Sequence, residues 1–257
     1  MSRFGQRDYP ADMARGLTEY TKVNKFGHNH AIGRTMAPIT LGGVWETPQV
    51  AGATTLRVKA GDANDTAAGS GARAIRIEGV NTLGENVVET LITAGTSASA
   101  ASTTSYIRIY RASVSASGTY ATASASSHAA DIVIESVAGV PWAHITPVNL
   151  PLGQSEIGVY TIPTGKAAIV PRFSVHVDSS KTATIMFLQR SGVLDTAPPY
   201  SAMKAVANLV GVTRSASLEP AAPFGPFPAG TDIGFMAKVA SGTAAVSVDF
   251  DIWLYDA

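Results

Sequence analysis

Hydrophobic and polar residues alternate along much of the chain from Leu56 onward. In "ARAIRIEGV", Ile75 and Ile77 point to one side while Arg76 and Glu78 point to the other, as in a half-buried strand. The stretches "LRVKA", "ENVVETLITA", "SYIRIYRASVSA" and "DIVIESV" follow the same pattern. Turn-rich segments such as "GDANDTAAGSG" and "AGTSASAASTT" separate these stretches at intervals of about 10 residues, which indicates an antiparallel sandwich or barrel rather than alternating strands and helices.

A second block of strands begins near Pro147, within a boundary segment at residues 140–154. It contains "IGVYTIP", "AAIVPRFSVHVD" and "TATIMFLQR". Pro171 interrupts the second of these, and we expect it at a sheet edge or a bulge because proline cannot donate to a strand ladder. The loop "LEPAAPFGPFPAGTD" contains four prolines, which predicts no regular structure across it. Residues 198–212 fit either a helix or a pair of strands.

The end of the chain, "AAVSVDFDIWLYDA", is the clearest amphipathic strand. One face is apolar and comprises Val246, Val248, Phe250, Ile252 and Leu254. The other face comprises Ser247, Asp249, Asp251, Trp253 and Tyr255. A two-sided strand of this kind is expected to complete a sheet.

The first 36 residues differ from the rest. They carry six basic residues against three acidic ones, a net charge of +3, and after one or two possible helical turns in "PADMARGLTEYTK" they have no sustained period. We interpret residues 1–36 as an arm that is poorly ordered alone and docks on another molecule; a frayed terminus is the alternative. The predicted fold is all-β, with two antiparallel β-sandwich (jelly-roll-like) modules at 37–146 and 147–257 that follow this extended N-terminal arm.

Composition narrows the classes of function. The 257 residues are 46% hydrophobic and 15% charged, with 19 basic and 19 acidic residues, whereas soluble chains average about 25% charged residues. Such a surface suits a subunit that packs against neighbours, and it lacks the clustered basic field that nucleic-acid binding needs. We therefore expect no nucleic-acid partner.

The chain has no cysteine, which removes disulfides, thiolate catalysis and sulfur-rich zinc sites and fits synthesis in the cytosol. Its N-terminus lacks the apolar core of a signal peptide, and no window approaches the ~20 apolar residues of a membrane span. We expect a protein that has no membrane partner.

The segment "ANDTAAGSGAR" (Ala63–Arg73) has the residue types of a metal or phosphate loop. A calcium loop that begins at Asp62 would have Arg73 where the bidentate Glu belongs. A phosphate loop would open a helix, but this segment opens a strand. We predict a turn between strands, formed by Asn64 and Asp65 together with the following glycines.

The histidines give little evidence of a metal or catalytic site. His28 and His30 have the His-x-His spacing of metal ligands, but no carboxylates stand near them in the sequence. His144 and His176 fall in predicted strands, and His128 lies in a Ser/Ala loop. A Ser-His-Asp triad stays open, although the chain has no Gly-x-Ser-x-Gly elbow. We predict no enzyme activity, no cofactor and no metal.

The best catalytic-looking group is on the last strand. Asp249 and Asp251 lie about 7 Å apart by strand geometry, and Trp253 and Tyr255 continue the same face. Two carboxylates beside aromatic side chains are what a glycoside hydrolase or a carbohydrate-binding module uses. The favoured alternative is a polar outer face or a subunit contact, where aromatic residues are enriched.

Several segments in order resemble a family of virion structural proteins from tailed bacteriophages. They are "NKFGHN", "ANDTAAGSGAR", "IRIEGVNTLGENVVETLITAGTSA", "YIRIYRASV", "YTIPTGKAA" and "VSVDFDIWLYD", and they span Asn24 to Asp256. The resemblance implies no catalytic residues. The segments "GHNHAIGRTMAP" and "LEPAAPFGPFPAG" depart from the family pattern.

This resemblance implies a capsid decoration or cement protein that is made in the host cytoplasm and binds the phage head as a homo-oligomer, with a trimer suggested by analogy. Its partners would be further copies of itself and the major capsid protein or other virion proteins. We expect the arm to anchor it through Lys25, Phe26, Gly27 and Asn29. The alternatives are a neck, baseplate or fibre-base component of the tail, and a carbohydrate-binding module or glycoside hydrolase.

Overall fold

The computed structural model describes residues 9–43, 45, 52–119, 126–146, 153–178, 180–195 and 197–257. Of the described residues, 56% are in strands and 3% in helix, and the sheets are antiparallel, which confirms the predicted all-β sandwich-type fold. The N-terminal elements are α1 (Tyr9–Ala14), β1 (Thr21–Ile32), β2 (Ala37–Pro38) and a 3₁₀ turn (Leu41–Gly43). The first module contains β3 (Thr54–Ala60), β4 (Ala72–Asn81), β5 (Asn86–Ile92), β6 (Ser105–Ser117), β7 (Ile132–Ser136) and β8 (Pro141–Ile145). The second contains β9 (Val159–Thr161), β10 (Lys166–Val177), β11 (Ala183–Arg190), β12 (Lys204–Val212), β13 (Ser215–Leu218), β14 (Phe224–Phe227), β15 (Asp232–Val239) and β16 (Ala244–Asp256).

The first module is one six-stranded sheet in the order β5-β4-β6-β3-β7-β8. Strand β3 pairs with β6 only at Thr54 and Thr55 and then pairs with β7 along the rest of its length, so the sheet changes partner there. The predicted alternation holds on β4, where Ile75 and Ile77 are buried and Arg76 is exposed. Aliphatic side chains from β3, β4 and β7 form the core, with Trp142 from β8.

The second module has two five-stranded sheets. One has the order β1-β16-β10-β13 with β14 beside β10, and the other has the order β12-β11-β15-β2 with β9 beside β15. Phenylalanines from both sheets meet between them: Phe187 and Phe235 stack with centroids 4.8 Å apart, and Phe173 and Phe250 lie 4.9 and 5.0 Å from Phe235. This aromatic centre anchors a larger aliphatic core.

Residues 21–32, expected to be part of an extended arm, form strand β1 in the second module. It pairs antiparallel with the last strand, β16, from Thr21 opposite Leu254 to Ile32 opposite Ala244. The residue pattern contained no strand signal because the inward positions of β1 include Lys25, Gly27 and Asn29 instead of a row of apolar residues. The second module therefore takes β1 and β2 from the segment before residue 43, and residues 1–8 lie outside the described part of the chain.

A buried ion pair joins the two modules. Arg108 on β6 and Asp232 on β15 are both almost fully enclosed, and the Arg108 guanidinium donates to both oxygens of the Asp232 carboxylate. Thr161 Oγ1 donates to the same carboxylate over 2.6 Å. Removing one member would leave a buried charge without its partner, so this contact strongly favours one arrangement of the modules.

Three local predictions have clear outcomes in the second module. The register of β10 against β16 shifts between Ile169 and Arg172, so Pro171 lies at the predicted bulge. The stretch 198–212, for which a helix and a pair of strands were the alternatives, contains one strand, β12, which pairs with β11. The proline-rich loop, where no regular structure was expected, includes the short strand β14. It pairs with β10 at only two positions, and this pairing brings buried Phe227 into the core.

The loop that resembled a metal site is a turn built around a buried carboxylate. Asp65 Oδ1 accepts hydrogen bonds from the backbone N–H groups of Ala72 (2.7 Å) and Ala129 (2.9 Å), and Oδ2 accepts one from Ala130 (3.2 Å). Gly71 packs so closely that a Cβ there would lie 2.1 Å from Asp65 Oδ1. The predicted turn is confirmed, and its acid has a structural role, because these bonds connect the loop to the segment before β7.

We predict that Asp65→Asn lowers the free energy of unfolding by about 1–3 kcal/mol, because the amide NH₂ cannot accept the bond from Ala130 N–H. Urea denaturation would measure the loss. The control is Asp62→Asn in the same loop, since Asp62 accepts one exposed bond from Asn64 N–H. Equal losses in the two variants would contradict a special role for Asp65.

Candidate binding face on the outer sheet

The outer face of the sheet β1-β16-β10-β13 collects residues from both predicted sites. On β1, alternate side chains point outward, and each lies opposite an outward residue of β16. The pairs are Lys22 with Trp253, Asn24 with Asp251, Phe26 with Asp249 and His28 with Ser247. Phe26 from the predicted anchor and the four β16 residues from the predicted interface therefore share one surface.

Strand β16 has the two faces that the sequence predicts. Its apolar residues Val246, Val248, Phe250, Ile252 and Leu254 are all buried in the core. On the other face Asp249 is exposed, while Trp253 and Tyr255 are half-buried. Asp251 is the exception on that face, because only 5% of its surface is exposed.

Asp251 is enclosed by three hydrogen-bond donors. Lys22 Nζ lies 3.0 Å from Oδ1, Arg172 Nη2 lies 3.1 Å from Oδ2, and Asn24 Nδ2 donates to Oδ1 over 3.2 Å. Burial opposes ionisation of Asp251, but the bonds from Asn24, Lys22 and Arg172 outweigh burial and lower its pKa. Asp251 is thus an ionised carboxylate that fixes the positions of two cations.

Asp249 has a different environment from Asp251. Its Oδ1 accepts a bond of 3.0 Å from the same Asn24 Nδ2 that donates to Asp251. Its Oδ2 accepts no hydrogen bond from any residue that the structure describes. Asn24 therefore bridges the two carboxylates, and Asp249 keeps one oxygen available at the surface.

Aromatic side chains border these acids on one side. Tyr20, just before β1, lies with its ring 5.8 Å from Trp253 and 5.6 Å from Tyr255. Sequence reasoning identified Trp253 and Tyr255 but missed Tyr20. The available signal was its position two residues before Lys22, which places both side chains on the same face of an extended chain.

A cleft of about 360 Å³ lies beside Asp249 and Asp251. Besides the β1 and β16 side chains, it is lined by Arg172 and Ser174 of β10, Ser217 of β13 and Glu219 just after it. No local sequence signal marks these four residues, because only the pairing of β10 with β13 and β16 brings them next to Asp249.

Three of the four predicted anchoring residues face the interior of the chain. A Cβ on Gly27 would lie 2.1 Å from the carbonyl oxygen of Ile39, so the two backbones touch there. Asn29 is buried, donates through Nδ2 to Pro38 O over 2.9 Å and accepts from Ala31 N–H over 2.9 Å. These contacts hold β1 in its own module, and only Phe26 of the set lies on the outer face.

Lys25 is buried at the junction of the two modules, with 2% of its surface exposed. Its Nζ donates to the carbonyl oxygen of Tyr110 and lies 5.7 Å from the centre of the Tyr110 ring. Burial, helped by the charge of Arg111 and opposed by Glu78, lowers the pKa of Lys25 from 10.5 to about 7. A cleft of about 570 Å³ adjoins this lysine, and its lining includes Glu78, Asn86 and Tyr160.

The His-x-His pair is a local contact. His28 Nε2 and His30 Nδ1 are 3.0 Å apart, and burial together with the nearby His30 lowers the pKa of His28. Among the described residues, no group of three or more His, Asp or Glu side chains could hold a metal ion. No helix within those residues is long and apolar enough to cross a membrane.

We predict that Lys25→Met flattens the pH dependence of stability. Between about pH 7 and 10.5 the unfolded state keeps the proton on Lys25 and the folded state does not, so the free energy of unfolding rises with pH across this range. Burial of Lys25 costs no stability above pH 10.5, and its cost is greatest at pH 7 and below. Across that range, the unfolding free energy of the natural protein should rise relative to Lys25→Met by several kcal/mol, to order of magnitude. Urea titrations at several pH values measure it, with exposed Lys59→Met as control. A variant that keeps the slope of the natural protein would contradict the assignment.

Comparisons with known proteins do not identify a family. No family model matches the chain, and no curated protein matches it. The solved "Structure of infectious bursal disease virus Gt strain" aligns with a TM-score of 0.25 at 10% identity, over 92% of this chain and 72% of that one. "The 2.6A structure of Infectious Bursal Virus Derived T=1 Particles" aligns with a TM-score of 0.21 at 8% identity, over 93% and 74%. At these TM-scores, neither likeness bears on what the chain does.

Proposed function

We propose that the chain is a structural component of a bacteriophage virion, most specifically a capsid decoration or cement protein that assembles as a homo-oligomer. The ordered segments that resemble tailed-phage virion proteins support the virion role. The observation that supports a homo-oligomer is that each module has one sheet edge with exposed aliphatic side chains. A neck, baseplate or fibre-base position is the alternative within the virion.

Strand β5 forms the edge of the first module. It pairs with β4 in unbroken register from Asn86 to Ile92 and has no second strand partner among the described residues. Val88 and Ile92 point outward with 51% and 57% of their surface exposed. An edge that offers unpaired backbone groups beside branched aliphatic side chains is a template for pairing with another chain.

Strand β12 forms an edge of the second module. It pairs with β11, and only Val212 of its nine residues is buried. No charged residue follows Lys204 in this strand, and Val210 is 73% exposed. A second copy could cover the edge from Ala205 to Val212 without removing water from any charged side chain, and the removal of water from charges is costly. The low charge of the whole chain fits the same use.

Because β1 is a strand of the second module, most of the predicted anchoring residues are not available for attachment to the capsid. Lys25, Gly27 and Asn29 are enclosed by the chain itself, so they cannot reach a neighbour while β1 stays in its sheet. Phe26 remains accessible on the outer face, and the residues before Thr21 precede the sheet. We propose that contacts with the major capsid protein involve this N-terminal part. A trimer stays a proposal by analogy with other decoration proteins.

We expect a lysine on either edge to weaken assembly, because its charge would lose hydration in the contact. The variants are Ile92→Lys on β5 and Val210→Lys on β12, and multi-angle light scattering after size-exclusion chromatography measures the mass. Val137→Lys is the control, since Val137 is similarly exposed but lies in the turn after β7. A monomeric natural protein, or edge variants with unchanged mass, would contradict assembly through these edges.

Immunogold electron microscopy of purified virions tests the location. A decoration protein should be labelled over the whole head. Label restricted to the neck or tail tip would reject the capsid role and support the tail alternative. Particles without label, together with absence of the chain from their mass spectrum, would contradict a virion role altogether.

A further inference from the structure

The cleft on the outer face of the sheet β1-β16-β10-β13 is a built surface with aligned polar groups. Asp249, Ser174 and Ser217 lie in one row across β16, β10 and β13, at a strand spacing of about 4.8 Å. The next row contains Asn24, Asp251 and Arg172. The volume of the cleft, about 360 Å³, lies within the roughly 300–1,000 Å³ typical of small-ligand sites.

The polar groups on the floor of the cleft are positioned by contacts inside the protein. Asp251 binds Lys22 and Arg172 at 3.0 and 3.1 Å, and Asn24 connects it to Asp249. Charge-assisted bonds to a buried carboxylate position both cations before any ligand arrives. Such preorganisation reduces the entropy cost of binding.

Several polar groups at the surface of this cleft have no partner in the described part of the chain. They are Asp249 Oδ2, the Glu219 carboxylate and the hydroxyl groups of Ser174 and Ser217. The set mixes hydrogen-bond acceptors with hydroxyl groups that can both donate and accept. A ligand that uses it must offer donors and acceptors close together.

The charge and the aromatic border narrow the class of ligand. Two cations, Lys22 and Arg172, face three carboxylates, so the cleft does not attract phosphates as a basic groove would. Trp253 follows Asp251 on the same face of β16 and lies opposite Lys22, so its half-buried ring, with those of Tyr20 and Tyr255 beside it, lies next to the residues that line the cleft. Such rings can pack against the C–H face of a sugar while its hydroxyl groups meet the polar rows.

We infer that this cleft binds a neutral saccharide, a role that does not depend on the proposed virion function. The site binds without hydrolysing. A glycosidase needs a proton donor together with a second carboxylate that is free to act as base or nucleophile. The pair Asp249 and Asp251 does not supply both, because Lys22 and Asn24 occupy Oδ1 of Asp251 and Arg172 occupies Oδ2. Asp249 Oδ2 and the Glu219 carboxylate keep accessible oxygens, which suit acceptors for sugar hydroxyl groups.

The test is isothermal titration calorimetry of the full chain with chitotriose, cellotriose, maltotriose and mannotriose. We expect saturable binding of at least one trisaccharide at millimolar concentration or below. Asp249→Asn and Trp253→Ala should each weaken that binding about tenfold or more, since they remove an ionic acceptor and a stacking ring. Asp256→Asn should bind normally, because Asp256 is an exposed acid on the same strand that pairs with Lys166 outside the cleft.

Four outcomes would overturn the inference. The first is that no trisaccharide binds at about 10 mM, and the second is that binding is unchanged in both Asp249→Asn and Trp253→Ala. The third is release of reducing sugar from a bound trisaccharide, and the fourth is a change of oligomeric mass in Asp249→Asn. The last would identify this face as a contact between copies of the chain. Asp249→Asn keeps an exposed side chain of the same shape, so we expect the variant to fold normally. Circular dichroism checks the folding of the variant.

Discussion

The pairing of the first strand with the last is the contact on which the rest of the second module depends. Strand β1 contacts β16 over its whole length, from Thr21 opposite Leu254 to Ile32 opposite Ala244, although most of the chain lies between them. Closing so long a loop costs only slightly more than closing a shorter one, because the cost grows with the logarithm of length. In this position β1 lies beside the central strand β16, supplies Lys22 and Asn24 to Asp251, and places Phe26 beside Asp249.

The register of this pairing is specified by polar residues as well as by the core. A slip of one residue would turn Lys25 and Asn29 outward and bring Phe26 and His30 into their places. It would also remove the backbone contact that only Gly27 permits against Ile39, and the bond from Lys25 to Tyr110 O in the other module. Buried polar groups of this kind favour one arrangement over its neighbours even where their net contribution to stability is small. The same strand thus fixes its sheet and its position against the first module.

Local sequence patterns predicted the features that depend on residues close together in the chain. The two faces of β16, the bulge at Pro171 and the turn around Asp65 follow from alternation, from the missing proline donor and from turn residues. Strand β1 could not be found in this way, because its inward residues find their partners far along the chain. The burial of Asp251 was equally hidden: Arg172 lies 79 positions away from it, and only the folded sheet brings the two together. The β10 and β13 side of the candidate cleft therefore came from the structure alone.

The proposed assembly edges and the saccharide cleft occupy different surfaces, so one chain can use both. Strand β12 belongs to the sheet opposite β1-β16-β10-β13, and a partner strand added there would extend that sheet in its own plane. Strand β5 belongs to the first module. The outer face that contains Asp249 and Trp253 is at neither edge, because β16 lies between β1 and β10. Pairing through the edges thus leaves this face uncovered, and a saccharide bound there would occupy surface that a strand-to-strand contact does not need.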